Sequence, residues 1–300
     1  MLRSTIGGCY VIAKRQVSLQ SPIYDSWKSY CLQHGLSFET NNSVLPPDSS
    51  TLFTTSGMQK HKPLFRDTSL IGHTRADVQR CLRLNDLDEI DDDHHHLVFH
   101  MMGLFSFRDW SVKQGIEFWY QYLLSQNVPL THVTVHPDRM DEWSHWHKPY
   151  GLPIVADPEC QWSDGGISGY CTEFFVGDIE VGNIVNPLGT CLDVGFGLER
   201  LEQVTGSPRN LTGIARLQYT LDVLVDSGVA PGAKTQSYVM RRLMRTLRER
   251  GGSWDNPRWD KELQRHERQR RLYERLKKHN LDKDEGWWWS THGIVLSEMQ

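Results

Sequence analysis

The segment DVGFGLER, residues 193–200, sets an acid, two glycines and an acid–base pair within eight positions. A strand-to-helix junction uses such a run either as a tight corner or to bring a carboxylate, bare backbone and an arginine to one small polar ligand. Other stretches have the types to meet the same ligand. QRCLR, 79–83, puts Arg80 and Arg83 in a predicted strand, and a planar guanidinium clamps phosphate through paired donors. Phe99, in the returning strand, offers a face on which a base stacks, although strand aromatics also fill cores. CQWSDGGISGYCTEFF, 160–175, lacks the lysine of a P-loop and the GxGxxG spacing. It does set Trp162, Asp164 and Glu173 beside glycine backbone that a ligand can approach closely. Histidines 94–96 with His100, and the pair His145 and His147, suggest a metal at first sight. Structural zinc wants four N/S ligands at set spacing, and no CxxC accompanies these, so they read as polar stretches entering regular structure.

These residues need elements to hold them. A Ser-Pro entry signal and apolar residues at helical spacing predict a helix over SPIYDSWKSYCLQHG, ending at Gly35. TLFTTSGM predicts a short strand running into a turn, and residues 78–84 and 97–107 predict strands flanking an acidic loop. SVKQGIEFWYQYLLSQN reads as an amphipathic helix, THVTVHP as a strand by alternation, and CQWSDGGISG as a glycine-rich loop. CTEFFVGDIEVGNIVNP and TCLDVGFG give further strands, and the helix LERLEQVTG follows. From about residue 212 the pattern is mainly helical. A sheet-rich α+β body followed by a helical segment fits this order.

Composition bounds the function. Three hundred residues, 38% hydrophobic and 23% charged, suit one large or two smaller folded domains. No apolar run approaches the ~20 residues that span a bilayer, so no membrane partner is expected. Six scattered cysteines read as reduced thiols of a cytoplasmic protein. The net charge of −4 hides an asymmetry: residues 231–280 carry fifteen Lys/Arg against six Asp/Glu, whereas 1–230 carry seventeen against twenty-seven. A basic segment on an acidic body suits a polyanionic partner, or a solvated, salt-bridged helix face.

Taken together, TLFTTSGMQKHKPLF, QRCLRLNDLDEI, HHHLVFHMMGLFSFRDW, CTEFF, GNIV and LDVGFGLERL occur in the order and spacing of the alanyl-tRNA synthetase catalytic core. VAPGAKTQSYVMRRLMRTLRERG resembles the start of that family's tRNA-binding helices, and WWWSTHGIV their end. The resemblance covers roughly residues 20–300. It implies a class II α+β fold, an antiparallel sheet flanked by helices, with an N-terminal extension at 1–19, a catalytic domain at 20–211 and a basic helical domain at 212–300.

The resemblance also implies chemistry: ATP and Mg²⁺ activate a small, alanine-like amino acid as its adenylate. Asp193 then pairs with the substrate ammonium, and Gly195 and Gly197 leave room for a small side chain. Arg200 holds the outer phosphate of ATP, Arg83 grips the α-phosphate, and Phe99 stacks on adenine. Trp162, Asn183 and Val185 wall the amino-acid pocket, and Glu180 and Glu173 meet Mg²⁺. No enzyme nucleophile is needed, because the substrate carboxylate attacks; catalysis is positioning and charge neutralisation. Arg241, Arg242, Arg245 and Arg248 on one predicted helix, with Arg265, Arg268, Arg271 and Arg275 on another, are the candidate nucleic-acid contacts.

Departures from the family bear on the acceptor. Only Leu84 separates Arg83 from Asn85, where the family has a glycine-rich stretch with a lysine. His100 replaces an acid, His94 an arginine and Gly182 a tryptophan, the last expected to reshape the pocket. The asparagine and aspartate that read the acceptor-stem wobble pair are missing, Ser290 standing for the second. Losing base-edge contacts removes direct readout while phosphate contacts remain. Three functions stay open: transfer to tRNA with relaxed recognition, transfer to a different amine or carrier in an amide-forming pathway, or a non-catalytic tRNA-binding relative. The retention of Arg83, Asp193 and Arg200 argues against the last.

Overall fold

The computed structural model describes residues 21–92, 95–209, 211, 213–279, 283–292, 294, 296 and 299; the expected extension 1–19, His94 and the side chain of Ser290 lie outside the described residues. In chain order the elements are α1 (Pro22–Gln33), β1 (Ser37–Asn41), α2 (Lys62–Arg66), β2 (His73–Leu82), β3 (Val98–Phe107), α3 (Val112–Ser125), β4 (His132–Val135), α4 (Met140–His147), β5 (Ile154–Ala156), β6 (Gln161–Asp164), β7 (Ile167–Val176), β8 (Ile179–Val185), β9 (Cys191–Gly197), α5 (Leu198–Val204), α6 (Gly213–Asp226), α7 (Thr235–Glu249), α8 (Pro257–Leu276) and α9 (Glu285–His292). The chain divides into two compact units. One holds residues 1–41, 56–79 and 100–209; the other holds 42–55, 80–99 and 210–300.

The sheet runs β1-β2-β3-β9-β8-β7-β4-β5, with β6 added on β7. Its centre is antiparallel, from β3 through β9, β8 and β7 to β4. Both edges are parallel pairs, β1 with β2 and β4 with β5, so the sheet is mixed where an antiparallel one was expected. In the first unit, helices cover the sheet through an aromatic core: Trp27 of α1 stacks on Trp119 of α3 at 4.4 Å, and Trp119 stacks on Phe196 of β9 at 3.9 Å. Local signals explain both helices. Ser21 accepts from the Tyr24 amide at the start of α1, and Ser111 with Gln114 forms a capping box at the start of α3.

The second unit has its own core, in which Leu217, Leu221 and Leu224 of α6 and Met240, Leu243 and Leu247 of α7 pack with Val44, Phe53, Leu82 and Ile90. TLFTT does not form the expected strand. The amide of Thr54 bonds to Val44 and its carbonyl accepts from Leu82, two isolated bonds that build no ladder. The glycine-rich stretch is tighter than expected. Gly165 and Gly166, with φ of +57° and +81°, close a two-residue hairpin between β6 and β7, a left-handed turn that glycine adopts without strain.

A buried ionic network ties β3 to α5. His100 donates its amide to Glu199 at 2.8 Å, and its ring Nδ1 lies 2.7 Å from the same carboxylate. Arg209 adds a contact at 3.2 Å and grips Glu202 as well. Burial alone would raise the Glu199 carboxyl, but His100 and Arg209 outweigh it and hold the group down at about 2. A depressed carboxyl stabilises the fold above its unfolded value of about 4.3, and that contribution fades as pH falls towards the folded value. Glu199→Gln is therefore expected to cost about 3–5 kcal/mol at pH 7 by leaving buried charge unpaired. In denaturant titrations the gap to the parent protein narrows as pH drops below about 4.3; a gap independent of pH would contradict the assignment.

Candidate functional site

Strand register decides which side chains share a face. Across β7, β8, β9 and β3 one row holds Glu173, Asn183, Gly195 and Gly103, and the next holds Cys171, Val185, Asp193 and Phe105. Directly opposed residues in an antiparallel ladder project from the same side, so both rows stand on one face of the first unit. Gly182 is out of phase with them. A Cβ there would collide with the Phe196 ring, on the helix-covered side, so Gly182 admits Phe196 and does not line the face that carries Asn183 and Val185.

Asp193 is almost fully buried on that face. Burial, and after it the charge of Asp77, push its carboxyl up to about 7. Asp77 comes close because Gly103 has no side chain: a Cβ there would meet Asp77 Oδ1 at 2.5 Å. Asp77 is 1% exposed and is answered by Lys60 Nζ at 2.9 Å, with His61 Nε2 at 3.6 Å. Burial would lower the Lys60 ammonium, but Asp77 and Glu39 prevail and raise it. Lys60, His61 and Asp77 escaped the sequence reading. Their available signal was charge in stretches, GMQKH and ADVQRC, that otherwise supply core residues. Gly195 also gives less room than expected, since a Cβ there would meet Met101 Sδ at 2.9 Å.

The other candidates of the first unit gather around these acids. Trp162 packs against Cys160, Cys171 and Val185. Arg200, in the first turn of α5, donates from Nη1 to the Glu180 carbonyl at 2.7 Å and lies 3.6 Å from its carboxylate. Asn183 Nδ2 donates to Glu180 at 3.4 Å. Burial, and next the charge of Glu180, push Glu173 up to about 7. Glu180 keeps solvent access and hard oxygens, the kind of donor that Mg²⁺ takes together with phosphate and water. Glu173 instead faces the Cys171 thiol at 3.9 Å and the Thr134 hydroxyl at 3.3 Å. Arg83 and Phe99 belong to the second unit and form a pair there. The guanidinium sits 5.0 Å from the ring centroid, and Nε donates to the Thr55 carbonyl at 3.0 Å.

The helical arginines do not form one surface. Arg242 and Arg248 are exposed on α7, and Arg268, Arg271 and Arg275 on α8. Arg241 turns inward to Glu262 at 3.1 Å, Arg265 grips the same carboxylate, and Arg245 lies 5.9 Å over Tyr238. Among the histidines, His147 is locked between the Tyr120 and Thr172 hydroxyls, both at 3.0 Å, and burial lowers it to about 4. His145 bonds the Asp141 carbonyl within its own helix. Both are structural. His95 sits beside Asp92 and Glu89 on an exposed turn.

Comparison with known proteins identifies the family. An alanine–tRNA ligase of Xanthomonas axonopodis pv. citri is 30% identical over 68% of this chain and 32% of its own length. That of Xanthomonas campestris pv. campestris (strain B100) is 31% identical over the same shares. The chain thus spans about a third of these curated relatives. Among solved structures, a Desulfitobacterium hafniense pyrrolysyl tRNA synthetase aligns with a TM-score of 0.42 at 11% identity, over 62% of this chain and 69% of that one. The apo S. aureus histidyl-tRNA synthetase gives 0.40 at 11% identity, over 82% of each. Residues 23–183, more than half of the chain, match the family described as tRNA synthetases class II (A), and with its alanine–tRNA-ligase-like core the chain belongs to that family.

Proposed function

We propose that this protein activates a small amino acid with ATP and Mg²⁺ as the aminoacyl-adenylate and passes it to tRNA with relaxed recognition. One observation carries the reading: Asp193 is a carboxylate buried on the sheet face, and burial with the charge of Asp77 pushes its carboxyl up. Such a group is costly in a free protein and useful only to a ligand that brings its own positive charge. A substrate ammonium does so. Val185 and Asn183 stand on the neighbouring strand and Met101 lies over Gly195, which together would limit the substrate to a short side chain.

Arg200 and Arg83 neutralise phosphate charge, Phe99 offers its ring to the base, and Glu180 fits as the protein's Mg²⁺ ligand. The metal, when bound, neutralises phosphate oxygens during adenylate formation. A second reading, an amide-forming ligase with an amine or carrier acceptor, draws support from α7 and α8, where Glu262 neutralises part of the positive charge.

Three outcomes test this reading. Pyrophosphate exchange, screened over all amino acids, is expected only with a small one, and Asp193→Asn should cost roughly 2–5 kcal/mol of transition-state binding. The same variant should be more stable than the parent at high pH. A carboxyl raised from about 3.8 to about 7 penalises the fold increasingly as pH climbs between those values, by up to about 4 kcal/mol above pH 7. Thermal melts at pH 5 and pH 8.5 should show a gain at both, clearly larger at the higher pH. Normal exchange in Asp193→Asn removes the residue from the ammonium site.

Arg83→Ala and Arg200→Ala should each abolish exchange, and lysine at either position should restore little, because a point charge cannot reproduce a planar fork. Near-normal rates in both lysine variants would refute the phosphate assignments.

Binding of tRNA should weaken steeply with salt and discriminate little between tRNAs. Replacing Arg242, Arg248 and Arg268 by glutamine should lower affinity equally for every tRNA and flatten the salt slope by roughly 2–3. Exchange should be unchanged. Product formed only with a small amine or carrier, and no charging of any tRNA, would establish the second reading instead.

A further inference from the structure

We propose that Cys160, Cys171 and Glu173 form a three-ligand site for a thiophilic divalent cation, Zn²⁺ foremost, whose fourth position takes a donor atom from solvent or substrate. The strands create the cluster. The Cys171 amide donates to the Cys160 carbonyl at 2.9 Å, which sets the two cysteines side by side at the base of the β6–β7 hairpin. Glu173 follows two residues later on the same face of β7. The two sulfurs and a Glu173 oxygen all lie within 4.8 Å of one another, and Cys171 Sγ is 3.9 Å from Glu173 Oε1. A tetrahedral site with zinc–sulfur bonds of about 2.3 Å places its ligand atoms about 3.8 Å apart, so rotamer adjustment suffices.

The chemistry of the donors selects the ion. Two sulfurs and one carboxylate suit zinc and disfavour Mg²⁺, which demands oxygen and water. Both cysteines are buried and neither is in a disulfide. Their sulfurs and the Glu173 carboxylate converge on one small space, so a bound cation meets three donors already close together. The two thiols release their protons to solvent, and the site carries a net single negative charge: two from the ion against three from the ligands. Thr134 completes the support. It accepts from Cys160 Sγ at 2.9 Å and donates to Glu173 Oε2 at 3.3 Å, orienting a carboxylate that would otherwise swing.

Three protein ligands with one position left over is the pattern of a reactive rather than a purely structural zinc. The next strand points to what reaches that position. Cys171 is paired with Val185 and Glu173 with Asn183, the two residues assigned to the amino-acid pocket, and Trp162 packs on both Cys171 and Val185. The ion therefore borders the pocket wall. Its use by an amino-acid substrate, through a side-chain hydroxyl or thiol, rests on the proposed amino-acid site; metal binding itself does not.

The test starts from the whole protein purified without chelators. Elemental analysis is expected to find about one zinc per chain. The protein stripped and reloaded with Co²⁺ should show intense tetrahedral bands and thiolate-to-cobalt charge transfer, and added small anions should shift the tetrahedral bands by entering the open position. Cys160→Ser and Cys171→Ser should each weaken zinc affinity at least about 100-fold, and Thr134→Val about 10–100-fold, with circular dichroism unchanged. Cobalt bands without thiolate charge transfer, negligible zinc uptake by the folded parent protein, or thiol titration showing a Cys160–Cys171 disulfide would each overturn the site. Cobalt bands indifferent to every added ligand would overturn the open position. Pyrophosphate exchange is read separately, so a metal site without amino-acid activation refutes the function and leaves the metal site standing.

Discussion

The first unit is organised around crowded acidic groups on one face of its sheet. Asp193 and Asp77 share that face because Gly103 lets them approach, and Glu173 and Glu180 press on each other a few strands away. Lys60 answers Asp77 and Arg200 answers Glu180, and each is divided between partners. A free protein gains nothing from such a surface, since each raised carboxyl marks interaction energy withheld until a cation arrives. Under the proposed function, stability and activity oppose each other at Asp193, as they do where a site is completed by its ligand.

That face must be rigid to be useful, and the anchoring sits one residue from the chemistry. Glu199 and Arg200 are consecutive in the first turn of α5, yet they point to different tasks. Glu199 is driven inward onto His100 and Arg209, while Arg200 stays partly exposed against Glu180. The charge-paired acid pins the helix start to β3, and the arginine inherits a fixed origin. His100 makes this pin possible: with a histidine on β3, the partner on α5 can be a carboxylate.

Much of this was legible in the sequence because the informative pieces were local. Capping serines, alternation in THVTV and helical spacing in α1, α3 and α7 depend on neighbours along the chain, and they produced the expected elements. The family motifs supplied the roles of Arg83, Asp193 and Arg200 as expectations. What sequence reasoning missed depends on register. Lys60, His61 and Asp77 became a buried polar cluster only when β2 lay next to β3, and Gly182 could be assigned to the helix side only once its partner Phe196 was known. TLFTT looked like a strand by composition, but a strand needs a ladder, and two isolated bonds do not make one. Cys160 and Cys171 lie eleven residues apart with no metal-motif spacing; the hairpin, not the sequence interval, brings them together.

The basic helices show why charge counts along a sequence overstate a polyanion surface. Glu262 is 7% exposed on α8, and two arginines, one from α7 and one from its own helix, converge on it. A buried carboxylate needs such partners, so Arg241 and Arg265 are bound to the packing of α7 against α8 and are withdrawn from any phosphate. Arg242 and Arg248 on α7, with Arg268, Arg271 and Arg275 on α8, remain at the surface. Arg271 spends part of its charge on Glu267 at 2.9 Å. What is left is positive charge at the helix surface, the kind that supports salt-sensitive phosphate contact, whereas base readout needs donors and acceptors fixed in a groove.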